Sequence, residues 1–334
     1  MPVVLMVVEF LNSGKRDNMI IIKLTSGLGN QLFQYAAARR LAHIHNTELL
    51  LDIDSFGQNK LRSYQLKHFN IREKFASPSD VFKLYPAEGL NRMMIRRVLG
   101  TRISYKFNNL LEKKHRNNYF TYSNSGHVPP LINGKLLVQR YFHFDNEVLS
   151  APDNLYLMGY FQSEKFFCDI EGIIRKDFVL KNEVSGRNKE YLLAVQATQS
   201  VSLHVRRGDY VNDPETKKLF NICNAGYYNK AIQMMYEFTG KPHFFVFSDD
   251  LLWVKENLEI KFPVTFVDCN TDNAIEDMRL MWSCKHNIIA NSSFSWWAAW
   301  LNNNADKKVI APSRWINQKN YNMNDIVPES WIRI

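Results

Sequence analysis

The sequence predicts an α/β protein of two Rossmann-like units, each a parallel sheet flanked by helices. Three observations carry that expectation. Residues 19–53 read as strand, glycine turn, helix and strand, a βαβ opening. From residue 155 to residue 311, short apolar runs alternate with helix-period segments. And 334 residues with 46% hydrophobic content suffice for two cores.

In order along the chain, Met19–Leu24 (MIIIKL) is a β-branched run of the kind a buried strand needs. Thr25-Ser26-Gly27-Leu28-Gly29-Asn30 is a tight glycine turn. Residues 31–46 read as helix, with Leu32, Tyr35, Ala36, Arg39 and Leu41 near helical spacing, and Glu48–Ile53 is the next strand. Residues 55–150 show no clear period, and Pro129-Pro130 breaks them. The signals then sharpen: strands over 155–159, 200–205, 243–247, 264–267, 287–290 and 309–311. Helices are predicted over 164–176, 227–238 (apolar set Tyr228, Ile232, Met235, Phe238), 251–258, 274–282 and 295–301. The first unit is placed at 19–192 and the second at 193–334. Residues 1–18 are an extension or a misassigned start, matched to neither unit.

Composition narrows the classes. Aromatics at 13% argue against disorder, and suit core packing as well as stacking on sugars or bases. The formal charge is +9, and eight basic side chains against Glu112 alone fall in 91–116 (Arg92, Arg96, Arg97, Arg102, Lys106, Lys113, Lys114, Arg116). That stretch reads either as a solvated helix face or as a surface attracted to anionic lipid. Nucleic acid is not expected, because no nucleic-acid motif accompanies it. Cys168, Cys223, Cys269 and Cys284 form no CxxC and no zinc spacing, so reduced, packed thiols are expected. The apolar 3–8 run is too short to span a bilayer and lacks a basic flank, so a cytoplasmic protein is expected, with peripheral inner-membrane contact as the alternative.

Three strand-to-helix corners carry the chemistry. His204-Val205-Arg206-Arg207-Gly208-Asp209-Tyr210 follows a strand directly, where ligands sit in open α/β sheets. Two adjacent arginines there match a diphosphate bidentately, or else form a surface salt-bridge turn. Gly27-Leu28-Gly29-Asn30-Gln31 stands at the matching corner of the first unit, a glycine pair that lets backbone approach a ligand but not a dinucleotide fingerprint. Asn291-Ser292-Ser293-Phe294 opens a helix after a strand, either as an anion site or with a serine as an ordinary N-cap. Asp52-Ile53-Asp54 and Asp249-Asp250 are the metal alternatives, but an arginine pair already does a cation's work at a diphosphate, and no metal or cofactor is expected.

Together these motifs resemble the glycosyltransferase family 11 α-1,2-fucosyltransferases. The matching text is GLGNQLFQYA at 27–36, HVRRGDYV at 204–211, FSDD at 247–250 and DMRLMWSCKHNIIANSSFSWWAAWL at 277–301, with GYFQSEKFF at 159–167 similar to the bacterial branch. The resemblance runs from Met19 onward and is weakest in the basic middle. It implies a GT-B architecture, two Rossmann-like domains facing across a cleft, and inverting, metal-independent transfer of L-fucose from GDP-β-L-fucose. The acceptor it implies is the 2-hydroxyl of a terminal galactose on an oligosaccharide or glycolipid, as in surface polysaccharide or blood-group-like glycan. The first unit would take the acceptor, the second GDP-fucose.

The resemblance also assigns residues. Arg206 is expected on the β-phosphate, with Arg207 and His204 as second contacts. Ser292, Ser293 and Phe294 are expected around the pyrophosphate, and Asp277 on guanine, whose N1–H and exocyclic amine both donate. Gly27, Gly29, Asn30 and Gln31 complete the expected donor contacts, with Asn30 at the reaction centre. Asp209 is the candidate general base, or only an orienting partner of the arginines. Two other readings stay open: a GDP-sugar transferase of different linkage or donor, and a non-catalytic protein binding anionic ligands.

Overall fold

A computed structural model describes residues 18–57, 62–85, 131–132, 135–208, 218, 220, 223–271, 273–317 and 322–334. The basic stretch 91–116, Asp209, and residues 1–17 of the expected extension lie outside them.

Two sheets organise the chain. The first contains β1 (Met19–Lys23), β2 (Glu48–Asp52), β3 (Leu131–Ile132), β4 (Leu136–Val138) and β5 (Leu155–Met158) in the order β2-β1-β5-β4-β3. It is parallel except for the β3–β4 pair. The second contains β6 (Ser200–Val205), β7 (His243–Ser248), β8 (Val264–Phe266), β9 (His286–Ile288), β10 (Val309–Ala311) and β11 (Ile332–Arg333) in the order β11-β10-β9-β6-β7-β8, parallel throughout. All residues of β1 and β6 are buried; β1 accordingly reads as a nearly continuous apolar run, whereas β6 sets the buried polar residues Ser200, Ser202 and His204 between its apolar ones.

Eight α-helices are described: α1 (Leu28–Ile44), α2 (Pro78–Leu84), α3 (Glu171–Asp177), α4 (Arg187–Ala197), α5 (Ala225–Thr239), α6 (Leu251–Asn257), α7 (Ala274–Ser283) and α8 (Ser293–Leu301). None among the described residues is long and apolar enough to cross a membrane. The two-unit α/β architecture expected from the sequence is therefore present.

The interface between the units is a core in its own right. α1 is buried on nearly every side, and α8 carries Trp296, Trp297 and Trp300 into the same cluster. The Phe33 ring lies 4.4 Å from Trp296 and 4.9 Å from Trp297, and Trp297 stacks on Phe167 at 5.3 Å. Fully buried aromatics contribute about 1.5–3 kcal/mol each from area alone, so this seam fixes how the units meet. α1 is anchored beneath by Asp177, which accepts from Tyr35 Oη at 2.8 Å and pairs with the Arg39 guanidinium at 2.9 Å.

Several expectations are corrected. α1 begins at Leu28, so Gly29 is helical rather than part of a turn. The helix expected over 164–176 is two 3₁₀ turns, Glu164–Phe166 and Cys168–Ile170, followed by α3. α8 starts at Ser293, two residues early. Phe238, assigned to an apolar face, is 47% exposed because α5 turns that edge to solvent. The four cysteines are free, but Cys168 is exposed and Cys269 half-buried, so only Cys223 and Cys284 are packed thiols.

Candidate active site

Each sheet reverses its strand order once beside its first strand. In the second sheet β6 continues to β7 and β8 on one side while β9 pairs on the other. In the first, β1 has β2 on one side and β5 on the other. Such reversals open a crevice at the carboxyl ends of the flanking strands, the usual ligand position of open α/β sheets. HVRRG leaves β6, NSSF follows β9, GLGNQ leaves β1 and GYFQ leaves β5, so the motifs fall on the four strand ends flanking the two crevices.

The two ends meet at one contact. A Cβ added to Gly29 would lie 2.3 Å from the Ser293 carbonyl carbon and 2.5 Å from the Phe294 nitrogen. The first turns of α1 and α8 therefore touch backbone to backbone. Both present the positive ends of their helices, a natural place for an anion. Gly27, by contrast, has open space where its Cβ would be. At α8 the Ser292 side chain makes no capping bond, so the ordinary N-cap alternative does not hold. Asn291 is buried and donates to the Phe220 and Trp315 carbonyls at 2.9 Å and 3.0 Å, which ties it to the loops and suits no glycan.

At the end of β6, Arg206 Nη1 lies 2.8 Å from Asp249 Oδ2, and Arg207 Nε 3.2 Å from Asp250 Oδ2. The Arg207 guanidinium sits 4.0 Å over the Trp253 ring, and its backbone N–H donates to Asp249 Oδ1 at 2.8 Å. Asp250 also caps α6 by accepting from Trp253 N at 3.0 Å. Asp249 and Asp250 thus orient the two arginines, while Asp209, to which the sequence offered that role, lies outside the described residues. The parallel register Val205↔Ser248 brings them alongside. A Cβ at Gly208 would fall 2.7 Å from Asp249 Oδ2, so a side chain there would push the carboxylate that holds Arg206 out of place.

His204 is buried with its ring 5.6 Å from Phe294, and its Nδ1 has no hydrogen-bond partner among the described residues. Burial first, and the Arg206 charge second, hold its pKa down to about 4. That environment favours the neutral imidazole. Asp277 stands in the first turn of α7, where its Oδ1 accepts from Asn270 Nδ2 at 2.9 Å. Burial pushes its carboxyl up to about 7 against that hydrogen bond, with Glu276 adding repulsion.

On the first unit, Asn30 Oδ1 accepts from Gln162 Nε2 at 2.7 Å. Gln31 is fully buried and spends its amide on the chain itself. It donates to the Ser26 and Ser63 carbonyls at 2.9 Å and 3.0 Å, and accepts from Gln65 N at 2.9 Å. Its place is inside the fold, holding the corner. The metal alternatives are engaged otherwise: Asp52 accepts from the Tyr156 hydroxyl and from Asp54 N, and Asp249 and Asp250 hold the arginines.

Two α/β units, with paired arginines at a strand end of the second and two helix N-termini in contact between them, make up the candidate site. Residues 129–334 match the profile of Glycosyl transferase family 11. The α-1,2-colitosyltransferase of Escherichia coli is 32% identical over 95% of this chain and 99% of its own length. Galactoside alpha-(1,2)-fucosyltransferase 2 of Rattus norvegicus is 29% identical over 43% of this chain and 42% of its own. Among solved structures, the fucosyltransferase NodZ from Bradyrhizobium gives a TM-score of 0.44 at 14% identity, covering 85% of this chain and 92% of that one. The chain belongs to glycosyl transferase family 11.

Proposed function

We propose that the protein transfers L-fucose, with inversion, from GDP-β-L-fucose to the 2-hydroxyl of a terminal β-galactose in a surface or O-antigen-type glycan. What supports the donor side is the strand-end pair Arg206 and Arg207, held by Asp249 and Asp250, on the same unit as the uncapped N-terminus of α8, which touches the first turn of α1. An α-1,2 linkage appears in the names of both bacterial and mammalian relatives. A second donor is favoured by the colitosyltransferase relative, because colitose is L-fucose without its 3-hydroxyl.

In this reading the acceptor oxygen attacks the anomeric carbon from the face opposite the nucleotide, its proton passing to a general base, for which Asp209 is the candidate, or to the departing phosphate. The carbon–oxygen bond to the β-phosphate breaks, and the pair of electrons leaves with GDP. Arg206 and the α8 amides meet the charge that grows on that phosphate, and preorganised donors of this kind need no reorganisation during the reaction. Asp249 holds Arg206 in place until the phosphate takes over part of its fork. Asp277 accepts from guanine, a pairing that adenine and uracil do not offer in the same form.

The test is calorimetry with GDP, ADP and UDP, together with transfer assays in EDTA. GDP binding at least tenfold tighter than either competitor, and full activity in chelator, are the expected results. Equal affinity for UDP would end the guanine assignment. Loss of activity in EDTA and its return with Mg²⁺ would move the chemistry to the aspartate pairs.

Asp277 gives this reading a pH signature. Its carboxyl titrates near 7 in the free protein, and only the ionised form accepts two donors. GDP-fucose, whose phosphates do not titrate in this range, should therefore lose up to about tenfold in affinity per pH unit below 7. Binding at pH 7 should also release about half a proton per site, visible as a buffer-dependent heat. Asp277→Asn should abolish both the pH slope and the proton release while weakening affinity at pH 8. An unchanged slope in that variant would detach Asp277 from guanine.

A further inference from the structure

The carboxyl end of β5 carries a segment, residues 159–162, that is more closely specified than a connection needs. Gly159 admits no side chain, since a Cβ would lie 2.5 Å from Gln139 Cβ. Gln139 is only 8% exposed, and its Oε1 accepts from both Tyr160 N at 2.7 Å and Phe161 N at 2.9 Å. Its Nε2 donates to the Tyr141 carbonyl at 2.7 Å, so one buried amide knits the loops after β4 and β5 together. Phe161 is held at φ +51° with its ring wholly buried against Phe166. A non-glycine residue in the left-handed region persists where its surroundings over-determine it, and such strain clusters at ligand sites.

The outcome of this bracing is what flanks Phe161. Tyr160 is turned out, 38% exposed, with its hydroxyl 3.4 Å from Ser26 Oγ on the glycine corner. Gln162 reaches the other way and donates to Asn30 Oδ1 at 2.7 Å. With its oxygen so engaged, Asn30 presents its amide nitrogen, a donor, to anything beside it. On the β4 loop that Gln139 also holds, Tyr141 and His143 stack at 4.7 Å. The surface is aromatic, amide and hydroxyl, the chemistry that takes a neutral pyranose by stacking on its C–H face and bonding its hydroxyls.

We propose that residues 159–162 form the seat of the acceptor's terminal pyranose, with Tyr160 as its stacking face and Gln162 as the positioning residue that turns the Asn30 nitrogen toward the sugar. The inference rests on the reading above that the second unit holds the nucleotide. Arg206, Arg207 and Asp277 all belong to that unit, whereas this segment belongs to the first. The Gly29–Ser293 contact brings the first turn of α1, which carries Asn30, against the N-terminus of α8; with the β-phosphate at that N-terminus, as the reading above has it, the donor sugar falls on the Asn30 side and the acceptor beyond it, toward Tyr160.

The experiment follows N-acetyllactosamine binding by saturation-transfer NMR in the presence of GDP, with acceptor and donor kinetics alongside, for wild type, Tyr160→Ala, Tyr160→Phe and Gln162→Glu. Tyr160→Ala should weaken the disaccharide on the order of tenfold, Tyr160→Phe should keep it, and GDP affinity should stay within about twofold in both. Gln162→Glu replaces the donor to Asn30 with an acceptor. Acceptor kcat/KM should fall about tenfold at pH 8, and its ratio to wild type should recover as the introduced carboxyl is protonated toward pH 5. Disaccharide affinity unchanged in Tyr160→Ala, a donor KM that moves instead of the acceptor's, or a ratio flat with pH overturns the proposal. Wild-type protein that binds GDP but no galactoside overturns the parent reading of the acceptor, and this seat with it.

Discussion

Arg206→Ala should lower turnover by about 10²–10³, the loss typical of one preorganised donor to a developing negative charge. The expectation follows from where Arg206 stands. It leaves β6 at the strand-order reversal, and Asp249 fixes its guanidinium at 2.8 Å. Charge builds on the β-phosphate only as the bond to the sugar breaks, so the contact strengthens in the transition state and its loss falls on kcat more than on donor KM. Arg206→Lys keeps the charge but loses the bidentate fork, and should remain badly impaired. Asp249→Asn should copy part of the defect, because it releases the guanidinium without removing it. Near-native turnover in a correctly folded Arg206→Ala protein would contradict the mechanism.

Gly29→Ala should be the most damaging single methyl in the molecule. The atoms it meets at 2.3–2.5 Å are backbone atoms of Ser293 and Phe294, which have no rotamer through which to escape. α1 and α8 must then separate, and the Phe33–Trp296–Trp297 seam behind them separates too. Overpacking of this kind costs about 1–3 kcal/mol, and more where nothing flexible yields. The variant should show a lowered denaturation midpoint together with loss of transfer. Gly27→Ala is the matched control, since its Cβ meets open space, and it should lose no more than about 1 kcal/mol, the cost of alanine at the α1 N-cap. If both variants melt like wild type, the units do not depend on this contact.

The fate of these two glycines shows what a sequence discloses here and what it withholds. GLGNQ is legible as a corner with a glycine pair, but sequence alone reads both glycines as serving the ligand. Only the packing of α1 on α8 shows that Gly29 serves the joint between units. β7 was legible because its four central residues are all buried, and a continuous apolar run is the direct signature of that burial. Residues 164–176 misled because Glu164, Lys165 and Lys176 are good helix formers while the chain there makes 3₁₀ turns around buried Phe166 and Ile170. α4, α2, β3, β4 and β11 carry too little periodicity to announce themselves.

The candidate site divides in the same way. Arg206, Arg207 and the α8 segment were visible as charged or small residues at strand ends. Asp249 and Asp250 were equally visible, but as carboxylates that could hold a metal. Their choice of the arginines is a matter of register between β6 and β7, which sequence spacing over 40-odd residues does not encode. Gln162 was legible only as part of a family-like string. Its work on Asn30 spans a separation of 132 residues and needs the β1–β5 pairing to appear.

The central claim is that a guanine nucleotide sugar is opened at this joint and its 6-deoxyhexose passed to galactose. The most direct measurement incubates the protein in EDTA with GDP-fucose, GDP-colitose, GDP-mannose or UDP-galactose and a β-galactoside disaccharide, and determines the product linkage by NMR. The account predicts an α-linked 6-deoxyhexose on the galactose 2-hydroxyl, formed from GDP-fucose or GDP-colitose and not from the other two donors. Transfer from the uridine nucleotide, or a product with retained anomeric configuration, would contradict it.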